Sequence, residues 1–149
     1  MLEVLQAFSD QQNNQFAAHM ARFHLAARQM GMGKADDAAS TYKSLADAPT
    51  LPEEMKDLAA YRWLQISWQK DDFSEAEKVI QRLVDRHSAL APLAREIKAV
   101  RLHHDGKTAE AATIYQALAA DDKASDQLRQ RAAELARYLA SQPTPASAP

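Results

Sequence analysis

His103, His104 and Asp105 stand in a row, and His19 and His24 lie five residues apart. Imidazole and carboxylate groups are common ligands of a divalent metal. Neighbours on a helix point about 100° apart, so His103 and His104 cannot readily hold one ion. A spacing of five does not bring His19 and His24 onto one face either. Asp71-Asp72 and Asp121-Asp122 are paired carboxylates, the raw material of general acid–base chemistry. Both pairs fall where helices start or stop, and aspartate there is commonly a cap. The cysteine count is zero, which removes disulfides, thiolate metal sites and a cysteine nucleophile. No phosphate loop, nucleophile elbow or zinc signature occurs. These residues call for no metal and no cofactor and point away from an enzyme. A metal-dependent or hydrolytic enzyme stands as the alternative from a different class.

The charge balance is as uninformative about a polyanionic partner. With 18 basic and 20 acidic residues the net charge is −2, and nucleic acid would need a concentrated basic face. Arg129, Arg131 and Arg137, with Lys123, cluster near the C-terminus, but Asp126 and Glu134 alternate with them as on a solvated helix face. No run of about 18 apolar residues is present to span a membrane. The opening MLEVLQAFSDQQNNQ lacks the basic start and long apolar centre of a signal peptide.

Helices must position whatever these residues do. The 149 residues suffice for one domain with a real core; alanine is abundant, glycine occurs three times, and no strand-like alternation appears. The composition predicts an all-α fold. Residues 1–10 read as an N-terminal segment or a chain edge, with Leu2, Leu5 and Phe8 in helical phase and Ser9 or Asp10 able to cap the next helix. That long helix is expected from about Gln11 to Met30, with Phe16, Met20, Phe23, Ala27 and Met30 in one stripe and Gly31-Met32-Gly33 ending it. Further helices are expected at Lys34–Ala46, from Leu51-Pro52 to about Gln69, from a Ser74 cap, and from a Ser88 cap to about His103. Gly106 then leads into GKTAEAATIYQALAADD, and a last helix runs from about Ser125 to Leu139. The repeat-bearing region is 11–140. Residues 141–149, SQPTPASAP, are rich in proline and are expected to be disordered.

Three of these helix pairs share a register. Their turns centre on Gly33, Asp71 and Gly106, at spacings of 38 and 35 residues. Five residues after each centre comes Ala38, Ala76 or Ala111. Nine after comes Tyr42, Ile80 or Tyr115, and twelve after comes Leu45, Leu83 or Leu118. Seven before comes Ala26, Leu64 or Ala99. Small side chains let helices cross closely, and large ones fill the space where they diverge. A period near 34 with this alternation resembles the tetratricopeptide repeat. The resemblance covers about Phe16 to Leu139 and implies an α-solenoid of about three helix hairpins, with the last helix as its C-terminal cap. Asp71 stands where that pattern has a turn glycine, and Leu64 where it has a small residue.

Ala91 to Leu139, with the run PLAREIKAVRLHHDGKTAEAATIYQALAADDKASDQLRQRAAELARYL, further resembles the C-terminal half of the YfgM-type family, the ancillary subunit of the SecYEG translocon, in its short alphaproteobacterial form. That resemblance implies the periplasmic repeat domain of an inner-membrane protein whose anchor lies upstream. Its partners would be translocon components, periplasmic chaperones or exported chains. A freestanding cytosolic adaptor for complex assembly is the alternative, and a homodimer is open to either.

In a tetratricopeptide array the first helix of each pair lines the concave face. Projecting the register places Met20, Phe23, Tyr61, Gln65, Trp68, Glu96, Val100, His103, Arg131 and Tyr138 there. Aromatic and flexible apolar groups with a few polar tips suit an extended or helical peptide. The competing expectation for each ring is that it is plain core between adjacent pairs.

Overall fold

The computed structural model describes residues 2–142, with side chains from Asn14 onward. Of the proline-rich tail, 143–149 lie outside the described residues. The described residues form seven helices and no strand: α1 (Leu2–Gly31), α2 (Ala35–Ala46), α3 (Glu53–Ser67), α4 (Ser74–Asp85), α5 (Ala91–His104), α6 (Thr108–Ala119) and α7 (Asp126–Ser141). The chain divides into two compact units, Met1–Ser67 and Trp68–Pro149. In the first, α2 packs against both α1 and α3. In the second, α4 packs on α5, α5 on α6, and α6 on α7.

The small–large register is what the helices bury. All twelve register residues are inside, none more than 6% exposed. Ala26, Ala38, Ala99 and Ala111 are wholly covered, as are Leu45, Leu64, Leu83 and Leu118. None of these 12- to 16-residue helices would be stable alone in water, so this burial is what makes them helices. In the second unit Ala99, Ala111, Tyr115 and Leu118 join Ala132, Ala136 and Leu139 of α7 in one core cluster. The opposite side of α7 exposes Gln130, Glu134 and Arg137. A polar outer face is what a terminal helix of a repeat stack requires.

Three turns share one device. Gly33, His87 and Gly106 have φ of 74°, 53° and 79°. After α5, the N–H of Gly106 donates to the His103 carbonyl (3.0 Å) and that of Lys107 to the Leu102 carbonyl (2.8 Å). The same two bonds close α1 at Gly33 and Lys34, and α4 at His87 and Ser88. This is the paired closure of a helix end by a left-handed residue. Glycine at 33 and 106 meets that demand without strain. His87 meets it with a Cβ in the left-handed region, at an intrinsic cost of about 1–2 kcal/mol. Replacing His87 with glycine is therefore expected to stabilise the protein by about 0.5–1 kcal/mol, net of the greater freedom glycine gives the unfolded chain. Denaturant midpoints of the two proteins check this.

Other expectations are corrected. α1 is continuous through Ser9 and Asp10, so neither begins a helix; a serine or aspartate is tolerated inside a helix as well as at its start. Ser74 does not cap α4. It is the first helical residue, and its own N–H donates to Asp72 Oδ1 (2.9 Å). That bond, followed by the bond from the Ser74 side chain, holds the Asp72 carboxyl below the ordinary carboxylate range. Ser88 Oγ accepts from the Leu90 N–H (3.3 Å) ahead of α5, and Leu90 is the residue at the cap position. Ser125 does cap α7, accepting from the Leu128 N–H (3.3 Å).

Candidate functional site

The ten candidate residues divide between the units, Met20, Phe23, Tyr61 and Gln65 in the first and the other six in the second.

In the second unit α5 carries Glu96, Val100 and His103 at spacings of four and three, so they share a face. Arg131 and Tyr138 of α7 lie seven apart and share another. An ion pair joins the two faces. Arg131 Nε donates to Glu96 Oε1 (2.7 Å) and its NH2 nitrogen donates to Glu96 Oε2 (2.9 Å), the two-pronged geometry that fixes both planes. The arginine side chain is 45% exposed and the glutamate 17%, so the pair contributes at most about 1 kcal/mol and acts mainly to set the register of α5 against α7. Tyr115 of α6 is buried near enough to this pair to feel both charges. Burial of its phenol pushes its pKa above the ordinary value; Glu96 adds to that rise and Arg131 opposes it.

Along the same two faces Val100 and Tyr138 stay exposed, the latter at 58%, and His103 is exposed as well. A tyrosine ring in water has a driving force to be covered. Trp68 is half-buried, and its ring stands edge-on to His104, at 5.9 Å between centroids and 86° between planes. The histidine that meets it is thus the neighbour of the candidate His103.

In the first unit Phe23 turns toward the hairpin interior. It is half-buried, with its ring 6.2 Å from that of Tyr42. Met20 is half-buried, whereas Phe16 and Met30 of the same stripe are 49% and 42% exposed. The stripe therefore straddles the edge of the packed face: Ala26, one step around α1, is wholly covered. Tyr61 is half-buried and accepts a hydrogen bond from Gln65 Nε2 (3.2 Å), and Gln65 also accepts from Arg62 (3.1 Å). His19 does not approach His24 chemically; its Nε2 bonds Thr50 Oγ1 (2.9 Å) in the loop after α2.

The clustered cations have mundane partners. Arg129 pairs with Asp126, and Arg131 with Glu96. Three residues on α5 escaped the sequence reading: Arg95 reaches Asp121 (2.9 Å), Lys98 reaches Glu77 on α4 (3.1 Å), and Arg101 reaches Asp105 (2.7 Å). Only the clustering of basic residues along α5, at 95, 98 and 101, hinted at them. Asp121 is thereby an ion-pair partner and also accepts from the Lys123 N–H (3.0 Å). Among the described residues no group of three or more His, Asp or Glu is placed to hold a metal ion. Among them, too, no helix is long and apolar enough to cross a membrane.

Within each unit, helices packed on their sequence neighbours through short turns, with small and large side chains buried in a repeating register, are what the tetratricopeptide-like α-solenoid class is built from. A family model, described as a tetratricopeptide repeat-like domain, matches residues 1–137. The chain belongs to that family. No curated protein and no solved structure gives a match. Such a domain points to a scaffold for protein interactions, binding proteins or peptides, and domains of this kind are typically non-catalytic.

Proposed function

We propose that this domain is the periplasmic part of a YfgM-like inner-membrane protein that assists the Sec translocon or periplasmic chaperones with exported chains. The observation that carries the binding half of this reading is the α5–α7 face. Its floor is a fixed ion pair over a packed core, and its Val100 and Tyr138 side chains are left in water. An exported chain in transit presents apolar segments without a unique sequence. A face of this kind holds such segments through area and rigid rings, with modest affinity and broad specificity. The translocon and periplasmic parts rest on the resemblance of Ala91 to Leu139 to the YfgM type.

Two experiments test the two parts. For location, the native protein is fractionated and probed with external protease in spheroplasts; the proposal expects it in the inner membrane with this domain accessible. Recovery from the cytosol in large assemblies would instead indicate the adaptor reading. For binding, Val100→Asp and Tyr138→Ala are expected to lower recovery of Sec components or exported chains about tenfold, as loss of central apolar contacts worth about 1–2 kcal/mol does, with helicity unchanged. Undiminished recovery removes this face from the mechanism.

A further inference from the structure

Arg101 of α5 directs its guanidinium at the turn before α4. One terminal nitrogen donates to the carbonyl oxygens of Trp68 (2.9 Å) and Lys70, and the other to that of Asp71 (3.2 Å). Its Nε donates to Asp105 Oδ2 (2.7 Å), and its central carbon lies 5.2 Å from the centroid of the Phe73 ring. The side chain is only 11% exposed. Asp105 is held in its charged form by the same bond, which keeps its carboxyl below the ordinary range. Carbonyls in a turn outside any helical ladder need donors from elsewhere. Here one planar fork serves three of them, a geometry arginine has and lysine lacks.

That turn begins with Trp68. Its carbonyl is bound by Arg101, and its ring meets the His104 ring one turn of α5 beyond Val100. Backbone and ring are thus both tied to α5. We propose that Arg101 is a positioning residue: it clamps the turn at 68–73 onto α5 and presents Trp68, edge-on to His104, as a preorganised contact beside the α5 side of the α5–α7 face. The proposal rests on the reading of that face as protein-binding. A ring already held in place loses less freedom when a partner covers it, so it contributes more to binding than a mobile one.

The chain has two tryptophans, so Trp63→Phe leaves Trp68 as the sole reporter in the full-length protein. Arg101→Ala and Arg101→Lys are compared in that background by acrylamide quenching, fluorescence anisotropy and far-UV helicity. The expected result is a rise of about twofold in the quenching constant and a fall in anisotropy for both variants, with helicity retained, as for local release of one turn. Millimolar guanidinium ion is expected to restore part of the anisotropy in the alanine variant. Wild-type quenching in the lysine variant overturns the proposal, and that variant decides the matter if the alanine variant loses helicity. Capture of Sec components or exported chains by each variant separates the clamp from the contact. Reduced capture alongside a mobile Trp68 supports both. A mobile Trp68 with undiminished capture keeps Arg101 as a clamp and overturns the role of Trp68 as a partner contact.

Discussion

Tyr115→Ala is expected to destabilise the unit built from α4 to α7 by about 3–5 kcal/mol, the range for removing a buried ring from a core that cannot collapse. The ring is 4% exposed and lies among Ala99, Ala111, Ala112 and Leu118, with Ala132, Ala136 and Leu139 of α7 in the same cluster. Alanines line much of that space, so little side-chain volume is at hand to refill it. Tyr115→Phe separates the ring from the hydroxyl. It keeps the volume and is expected to cost within about 1.5 kcal/mol at neutral pH. It also changes the alkaline limb. The Tyr115 pKa is raised by burial, then by Glu96, against a smaller opposite pull from Arg131. The unfolded chain therefore releases this proton at a lower pH than the folded one. Stability is full below the ordinary tyrosine pKa and is lost as pH rises from there through the higher folded value. Urea titrations from neutral pH upward should show a steeper alkaline loss in the wild type than in Tyr115→Phe. Parallel losses would place that sensitivity on other groups.

Leu45→Ala applies the same logic to the unit built from α1 to α3. Leu45 is wholly buried on α2, the helix that packs on both neighbours, and the expected cost is about 2–5 kcal/mol. Trp63 provides the readout. It is 6% exposed on α3, with the Lys43 ammonium of α2 5.8 Å from its ring centroid. In a Trp68→Phe background its fluorescence should report unfolding at a lower denaturant concentration in Leu45→Ala. A shift worth less than about 1 kcal/mol would mean that α2 is not the centre of this unit.

Much of the fold was legible because it depends on periodicity. The small and large residues of the register recur at fixed distances from the turn centres, and all twelve positions are buried. What escaped depends on single backbone or side-chain geometries. Glycine announced the left-handed closures at 33 and 106, but histidine at 87 carries no such signal. Ser74 and Glu77 had the spacing of a capping box, yet the helix starts at Ser74 itself, so Asp72 meets its N–H instead. The α1 stripe was regular in sequence, but α2 covers only one edge of it, which leaves Phe16 and Met30 half in water.

The candidate site was legible in part for the same reason. Glu96 and Arg131 stand one repeat of 35 residues apart, so projecting the register brought them together, and the structure pairs them. The register could not show that Phe23 faces Tyr42, nor that Trp68 meets His104. It could not show Arg101 at all, since that residue's partners at the turn are carbonyl oxygens, which every residue has.

Site-specific photocrosslinking in living cells tests most directly whether the α5–α7 face holds a protein. A photoreactive residue is placed in turn at Val100, His103 and Tyr138, and at Gln130, Glu134 and Arg137 on the outer side of α7. Protein adducts are expected from the first three positions and none, or far fewer, from the last three. Equal adducts from both sets, or adducts only from the outer side, would contradict it.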